Sequence, residues 1–230
     1  MFRRTVGGAR ATLMSMRHFS VFLFCTLAAT ACFAQATGTA PAAAAPAAAT
    51  SAATVLDEPG LYATFDTSMG AITVKLFEDK APNTVKNFVQ LAEGTKAAMN
   101  KAGEVVKHPY YNGLTFHRVI KGFMIQTGDI RGTGSSPCGF PDIKDEIDPS
   151  LHFDVVGRLA MANTGRPNSG GCQIFITVAN PTYLDGKYTI FGQVVAGQDV
   201  ATRISAVPTL PGDKPVIPVV VKSVKITRKS

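Results

Sequence analysis

The sequence predicts an all-β domain with two helices, folded as an antiparallel barrel or sandwich. Three observations predict it. Short β-prone runs broken by glycine succeed one another along much of the chain: "LTFHRVI", "FMIQTGD", "GRLAMAN", "QIFITVA", "YTIFGQVV" and "VVVKSVKIT". Only two stretches carry helical spacing. No strand–helix–strand rhythm and no internal repeat is present, which argues against a parallel sheet.

The elements follow in order. Leu61, Ala63 and Phe65 share one face of a strand, and Ile72, Val74 and Leu76 share one face of the next. The turn-like "TSMG" lies between them, so a hairpin is expected over residues 61–76. In "KAPNTVKNFVQLAEG", Pro82 suits a first helical turn, Val85, Phe88, Val89 and Ala92 recur at helical spacing, and Gly94 can close the end. The polar stretch "TKAAMNKAGEVVKHP" reads as a loop or short excursion. After it come the β-prone runs, interrupted once by a short helical pattern, "GQDVATRISAV".

The amino end has a different character. Residues 1–17 hold Arg3, Arg4, Arg10 and Arg17 and no acid, and the apolar run "FSVFLFCTLAATACFA" and the small residues Ala34-Gln35-Ala36 follow. A basic segment, an apolar core and an A-x-A exit make up a secretory signal peptide, expected over residues 1–34. The apolar run is too short and poorly flanked for a membrane span. Cys32 follows Ala29-Thr30-Ala31, loosely like a lipoprotein cleavage site but with Ala29 where leucine is usual. Lipidation there would tether the protein to a membrane. Residues 35–56 are almost only Ala, Pro, Thr, Ser and Gly, and a segment with nothing large to bury reads as a flexible spacer. The folded domain is expected over residues 57–230, in the periplasm or outside the cell.

Composition removes several function classes. The formal charge of +7 falls to +3 without the four arginines of residues 1–34, and no basic cluster with interleaved aromatics remains. Nucleic acid is therefore not an expected partner. "GTGSSP" (132–137) starts like a dinucleotide fingerprint but has Pro137 in place of the third glycine. His108, His117 and His152 are scattered and show no metal-ligand spacing to a cysteine, so no metal is expected. "NSGG" (168–171) lacks the flanks of a nucleophile elbow. Outside residues 1–34 only Cys138 and Cys172 remain, both in glycine-rich loops, and two cysteines alone do not decide whether they pair.

"FHRVIKGFMIQTGD" (116–129) resembles the signature stretch of the cyclophilins, the barrel-fold peptidyl-prolyl cis-trans isomerases. "GAITVKLFEDKAPNTVKNFVQLAEG" (70–94), "YYNGLTFHRVI" (110–120), "GRLAMANTGRPNSGGCQIFITV" (157–178) and "YLDGKYTIFGQVVAGQDV" (183–200) resemble further cyclophilin segments, in the family's order. The resemblance spans nearly all of residues 61–228. It implies a closed eight-stranded antiparallel β-barrel capped by two helices. It also implies an enzyme that speeds rotation about X-Pro bonds in peptides and folding proteins, a reaction that calls for no cofactor.

By family match, Arg118 is the arginine that stabilises the twisted amide, and Gln126 and Asn163 join it as catalytic residues. Phe123, Met124, Phe175 and Leu184 match the proline pocket. Gln173 matches a position that holds substrate backbone, Ala162 and His117 line the same site, and Gly132 lies in the glycine-rich loop bordering the groove. Three amides among apolar neighbours need partners, which an extended peptide would supply. Two departures stand out. Tyr183 replaces a common tryptophan and Tyr188 a common histidine, and the chain has no tryptophan. The tryptophan position contributes to cyclosporin A binding in the family, so weakened drug affinity is expected. A monomer is expected. The alternative to a folding catalyst is a non-catalytic proline-peptide chaperone or adaptor using the same groove.

Overall fold

The computed structural model describes residues 58–230; the signal peptide, the spacer and Cys32 read from the sequence lie outside the described residues. The hairpin forms as expected, β1 at Gly60–Thr67 and β2 at Gly70–Leu76. Leu61 faces Leu76, Ala63 faces Val74 and Phe65 faces Ile72 across the pair, so the period-two apolar sets meet on one buried face. The Thr67 hydroxyl closes the turn, donating to the Gly70 carbonyl at 2.6 Å and accepting the Met69 N–H at 3.0 Å.

Helix α1 runs Pro82–Ala92, with Pro82 in the first turn. Its apolar stripe seats Phe88 at the centre of the core, against Phe65, Tyr111 and Phe191 with ring centroids 5.9, 5.2 and 5.5 Å away. A fully buried side chain of this size contributes about 1.5–3 kcal/mol. The helix has no cap of its own at Ala81. The carboxylate of Glu146, 62 residues downstream of Thr84, accepts the N–H groups of Asn83 and Thr84 at 3.0 and 2.7 Å and the Thr84 hydroxyl at 2.8 Å. An anion at this end also complements the helix dipole.

Residues 95–109 are more ordered than expected. They form a small hairpin, β3 (Ala97–Met99) with β4 (Val105–Lys107). Its turn is built by the Asn100 side chain, which accepts the N–H groups of Ala102 and Glu104 at 2.9 and 3.0 Å. A three-residue strand is too short to show its alternation in sequence.

The remaining strands are β5 (Leu114–Thr115), β6 (Arg118–Ile120), β7 (Met124–Thr127), β8 (Arg158–Met161), β9 (Ile174–Thr177), β10 (Ile190–Ala196) and β13 (Val220–Lys229), with a two-residue hairpin β11 (Thr209–Leu210) and β12 (Lys214–Pro215) before the last. A 3-10 turn covers Thr182–Leu184, and helix α2 covers Gln198–Ser205. One nine-stranded antiparallel sheet orders the strands β5-β13-β1-β2-β10-β8-β9-β7-β6. Its two end strands, β5 and β6, are separated by Phe116 and His117 alone. The chain itself thus joins the two ends, and β5 with β6 counts as one bent strand. That gives eight positions around the curled sheet, in agreement with the predicted class.

The middle strands are buried on both faces. Ile125, Leu159, Met161, Ile174 and Ile176 enter the main core, whereas Met124, Ala160, Phe175 and Ile190 belong to a second apolar cluster with Phe153 and Leu184. Met124, Phe175 and Leu184 of this second cluster line the candidate site.

Candidate functional site

Strand register assembles the site. Arg118 on β6 pairs with Gln126 on β7, Gln126 with Phe175 on β9, Phe175 with Ala160 on β8, and Ala160 with Ile190 on β10. One row across five strands therefore passes from a guanidinium through an amide to an aromatic ring and then to aliphatic floor. Side chains opposite each other in a ladder share a face, so the polar and apolar tools stand side by side.

Above this row lies a depression of about 150 Å³ lined by Arg118, Phe123, Met124, Gln126, Ala162, Asn163, Phe175, Leu184 and Tyr188. A dry cavity of about this size holds a benzene ring, so the space suits one small ring rather than a free cofactor. Phe175 is its rigid wall. Phe153 stacks beneath it at 5.9 Å, and Tyr188 meets it edge-on at 5.5 Å.

Nine residues expected at the site meet there. The others stand around it. Gln173 lines an adjoining cavity of about 240 Å³ that also touches Gln126, Ala162 and Asn163. Tyr183 is 64% exposed, its ring tilted against Phe123 at 6.1 Å. His117 is buried, with neither ring nitrogen hydrogen-bonded. Burial lowers its pKa and outweighs the opposing pull of Asp129, so the ring is neutral at pH 7. Gly132 faces a different cleft, between β5 and β12.

The amides differ from expectation. Each finds partners within the protein, because side chains held among apolar neighbours recruit whatever donor or acceptor the fold brings near. Gln126 Nε2 donates to Gln173 Oε1 at 2.9 Å, and Gln173 Nε2 donates to the Gly134 carbonyl at 3.1 Å. The Asn163 amide donates to the Lys187 carbonyl and accepts the Gly165 N–H, both at 3.0 Å. Asn163 thus frames the rim, while Gln126 and Gln173 form a relay to the glycine loop.

Asp129, a residue the sequence reading did not assign, holds that loop. Its carboxylate accepts the N–H groups of Arg131, Gly132 and Ser136 at 2.8, 2.9 and 2.9 Å. Burial alone would raise its pKa, but these donors prevail and hold it at about 2. Gly128, next to it, has φ +93°, and a Cβ there would lie 2.2 Å from the Cys172 carbonyl oxygen. Only glycine fits this crossing.

Cys138 and Cys172 form a disulfide. Both line the 240 Å³ cavity. Tyr111 donates to the Cys172 carbonyl at 3.1 Å, and Tyr110 donates to the Gly128 carbonyl at 3.1 Å. Two further residues were not foreseen. Phe153 sits in a stretch that reads as loop, and Asp213, 95 residues from Arg118, accepts its Nε–H at 3.3 Å. Nothing local in the sequence marks either one. Among the described residues no group of three His, Cys, Asp or Glu is placed to hold a metal, and no helix is long and apolar enough to cross a membrane.

The fold is thus a curled antiparallel sheet that sets an arginine beside an apolar, ring-sized pocket. The family described as "Cyclophilin type peptidyl-prolyl cis-trans isomerase/CLD" matches residues 62–226. The chain belongs to that family and is a peptidyl-prolyl cis-trans isomerase. It is 46% identical over 169 residues to peptidyl-prolyl cis-trans isomerase A of Mycobacterium tuberculosis, covering 72% of this chain and 91% of that one. It is 45% identical over 170 residues to peptidyl-prolyl cis-trans isomerase B of Streptomyces anulatus, covering 72% and 96%. A solved cyclophilin-type isomerase of Cryptosporidium parvum aligns with a TM-score of 0.63 at 31% identity, covering 74% of this chain and 98% of its own. A second structure of that protein was obtained in the presence of the dipeptide Ala-Pro and aligns with a TM-score of 0.62 at 32% identity, covering 73% and 99%.

Proposed function

We propose that this isomerase acts on X-Pro bonds of exported polypeptides and assists their folding, with Arg118 as the charge-stabilising residue and the 150 Å³ pocket as the seat of the proline ring. The observation that carries the reading is the register row Arg118–Gln126–Phe175 beside that pocket.

Resonance sets a barrier of ~18–20 kcal/mol to rotation of a peptide bond. Before proline the two isomers differ by about 0.5–1 kcal/mol, so both are populated and exchange slowly. A catalyst has only to hold the ring, let the preceding carbonyl turn, and favour the twisted state over the planar ones. In the twisted state the proline nitrogen regains its lone pair, and a guanidinium donor aimed at it stabilises the lost conjugation. The neutral His117 adds no competing cation beside Arg118. Among the described residues Gln126 Oε1 accepts no hydrogen bond, so it can accept a substrate N–H while its Nε2 is committed to Gln173.

The exported location is supported by the signal-like residues 1–34 and by the Cys138–Cys172 disulfide, a bond characteristic of oxidising compartments. Fractionation with amino-terminal sequencing of the mature protein tests it, and a reduced cytosolic protein starting at residue 1 overturns it. For the mechanism, a prolyl-isomerisation assay compares the protein with Arg118→Ala. A loss of about 10²-fold or more in kcat/KM is expected for a preorganised charge-stabilising donor. Equal rates would refute the role given to Arg118.

A further inference from the structure

Asp213 has no place in the function so far, yet two of its groups converge on the strand that carries Arg118. Its carbonyl accepts the Val119 N–H at 2.8 Å, and its carboxylate accepts Arg118 Nε–H at 3.3 Å. Its backbone is unusual. With φ at +63° it is one of two non-glycine residues with positive φ among the described residues. This left-handed region disfavours a Cβ, and Asp and Asn are among the few side chains found there with any frequency.

The segment around it is fixed. The β11–β12 hairpin brackets Asp213, its N–H donates to the Leu210 carbonyl at 3.1 Å, and Val216 N–H closes the base onto Pro208 at 2.9 Å. Pro211, Pro215 and Pro218 stiffen it further. A strained backbone held by surrounding bonds points to function where its side chain meets a reacting group. The side chain here meets the arginine, which is about half-exposed and whose guanidinium has no other side-chain hydrogen bond among the described residues.

We propose that Asp213 is a positioning residue for Arg118. It grips Nε from outside the groove, fixes the plane of the guanidinium, and leaves the terminal nitrogens to face the proline amide. A five-donor planar fork is useful only when its plane is set. The left-handed backbone at Asp213 is what carries the carboxylate to Nε while its carbonyl stays on β6. This rests on the reading of Arg118 as the charge-stabilising residue.

The test is a double-mutant cycle on isomerase kinetics with Asp213→Gly, Asp213→Asn and Arg118→Ala. Glycine keeps the backbone conformation and removes the carboxylate. Asparagine keeps both the conformation and an acceptor but not the charge. Asp213→Gly is expected to lose about three- to tenfold in kcat with KM unchanged, in line with one charge-assisted hydrogen bond. Asp213→Asn is expected to fall between it and the parent. On the Arg118→Ala background Asp213→Gly should change nothing further, because it acts through the arginine. The Arg118 Nε–H resonance should shift and broaden in Asp213→Gly while backbone amides remote from β6 stay in place. If Arg118→Ala is fully active, the reading of Arg118 itself fails. If Arg118→Ala is impaired while Asp213→Gly matches the parent, or costs the same on both backgrounds, the role of Asp213 is refuted.

Discussion

Gln126 Nε2 donates to Gln173 Oε1 at 2.9 Å, so the amide that pairs with Arg118 in the β6–β7 ladder is anchored by a second amide. Gln173 in turn donates to the Gly134 carbonyl, and Asp129 holds the loop that carries Gly134. The groove wall is therefore a relay from a buried carboxylate to the amide that pairs with Arg118 in the β6–β7 ladder.

Breaking that relay at Gln173 should free Gln126 without removing any lining residue of the 150 Å³ pocket. Gln173→Ala is expected to lower kcat/KM about fivefold, the scale of one net hydrogen bond of roughly 1 kcal/mol. Thermal stability should change little, since Gln173 lies at the rim. Steady-state isomerisation together with a melting curve separates the two effects.

Acid should weaken the fold in two steps. His117 has its pKa lowered by burial, so the unfolded chain takes up a proton that the folded ring resists, and stability falls as pH drops below the ordinary value of 6.5. Asp129 is held at about 2 against an ordinary 3.8. Its contribution, up to about 2 kcal/mol, is complete above pH 4 and disappears as pH falls from there through 2. Denaturant midpoints from pH 7 to pH 2 should show both limbs. His117→Asn should flatten the first, and Asp129→Asn the second.

The Cys138–Cys172 bond closes a loop of 34 residues in sequence. Constraint of the unfolded chain by a loop of this length is worth roughly 3–4 kcal/mol. The double variant Cys138→Ser, Cys172→Ser should lose that much in chemical unfolding. Its isomerase activity should persist, because neither cysteine lines the 150 Å³ pocket proposed for the proline ring. Mass spectrometry of the non-reduced mature protein should show the bond directly.

Tyr183 should limit affinity for cyclosporin A. It stands 64% exposed against Phe123 and presents a phenol where the family resemblance leads one to expect an indole N–H. Tyr183→Trp is expected to tighten binding by roughly five- to tenfold, the value of one added hydrogen bond with aromatic area. Isomerase activity should stay within about twofold of the parent, the scale of a surface substitution. Nanomolar inhibition of the unaltered protein would contradict the expectation.

Where the sequence was legible, the signal was local. Period-two alternation marked β1 and β2, helical spacing around Phe88 marked α1, and contiguous motifs marked Arg118, Phe123, Met124, Gln126, Phe175 and Leu184 as one site. Residues 95–109 were less legible, because strands of three residues leave no period to detect.

By itself the sequence determined most of the strand and helix content, the family, and the nine residues that line the 150 Å³ pocket, since each is written in neighbouring side chains or in an unbroken motif. Tertiary structure decided the rest. It paired Cys138 with Cys172, brought Glu146 to the amino end of α1, slid Phe153 under Phe175, and set Asp213 against Arg118. These partners lie from 22 to 95 residues apart in the chain. Local propensity carries no information about such pairs; only the curling of the sheet and the packing of its loops brings one charge or ring to its complement.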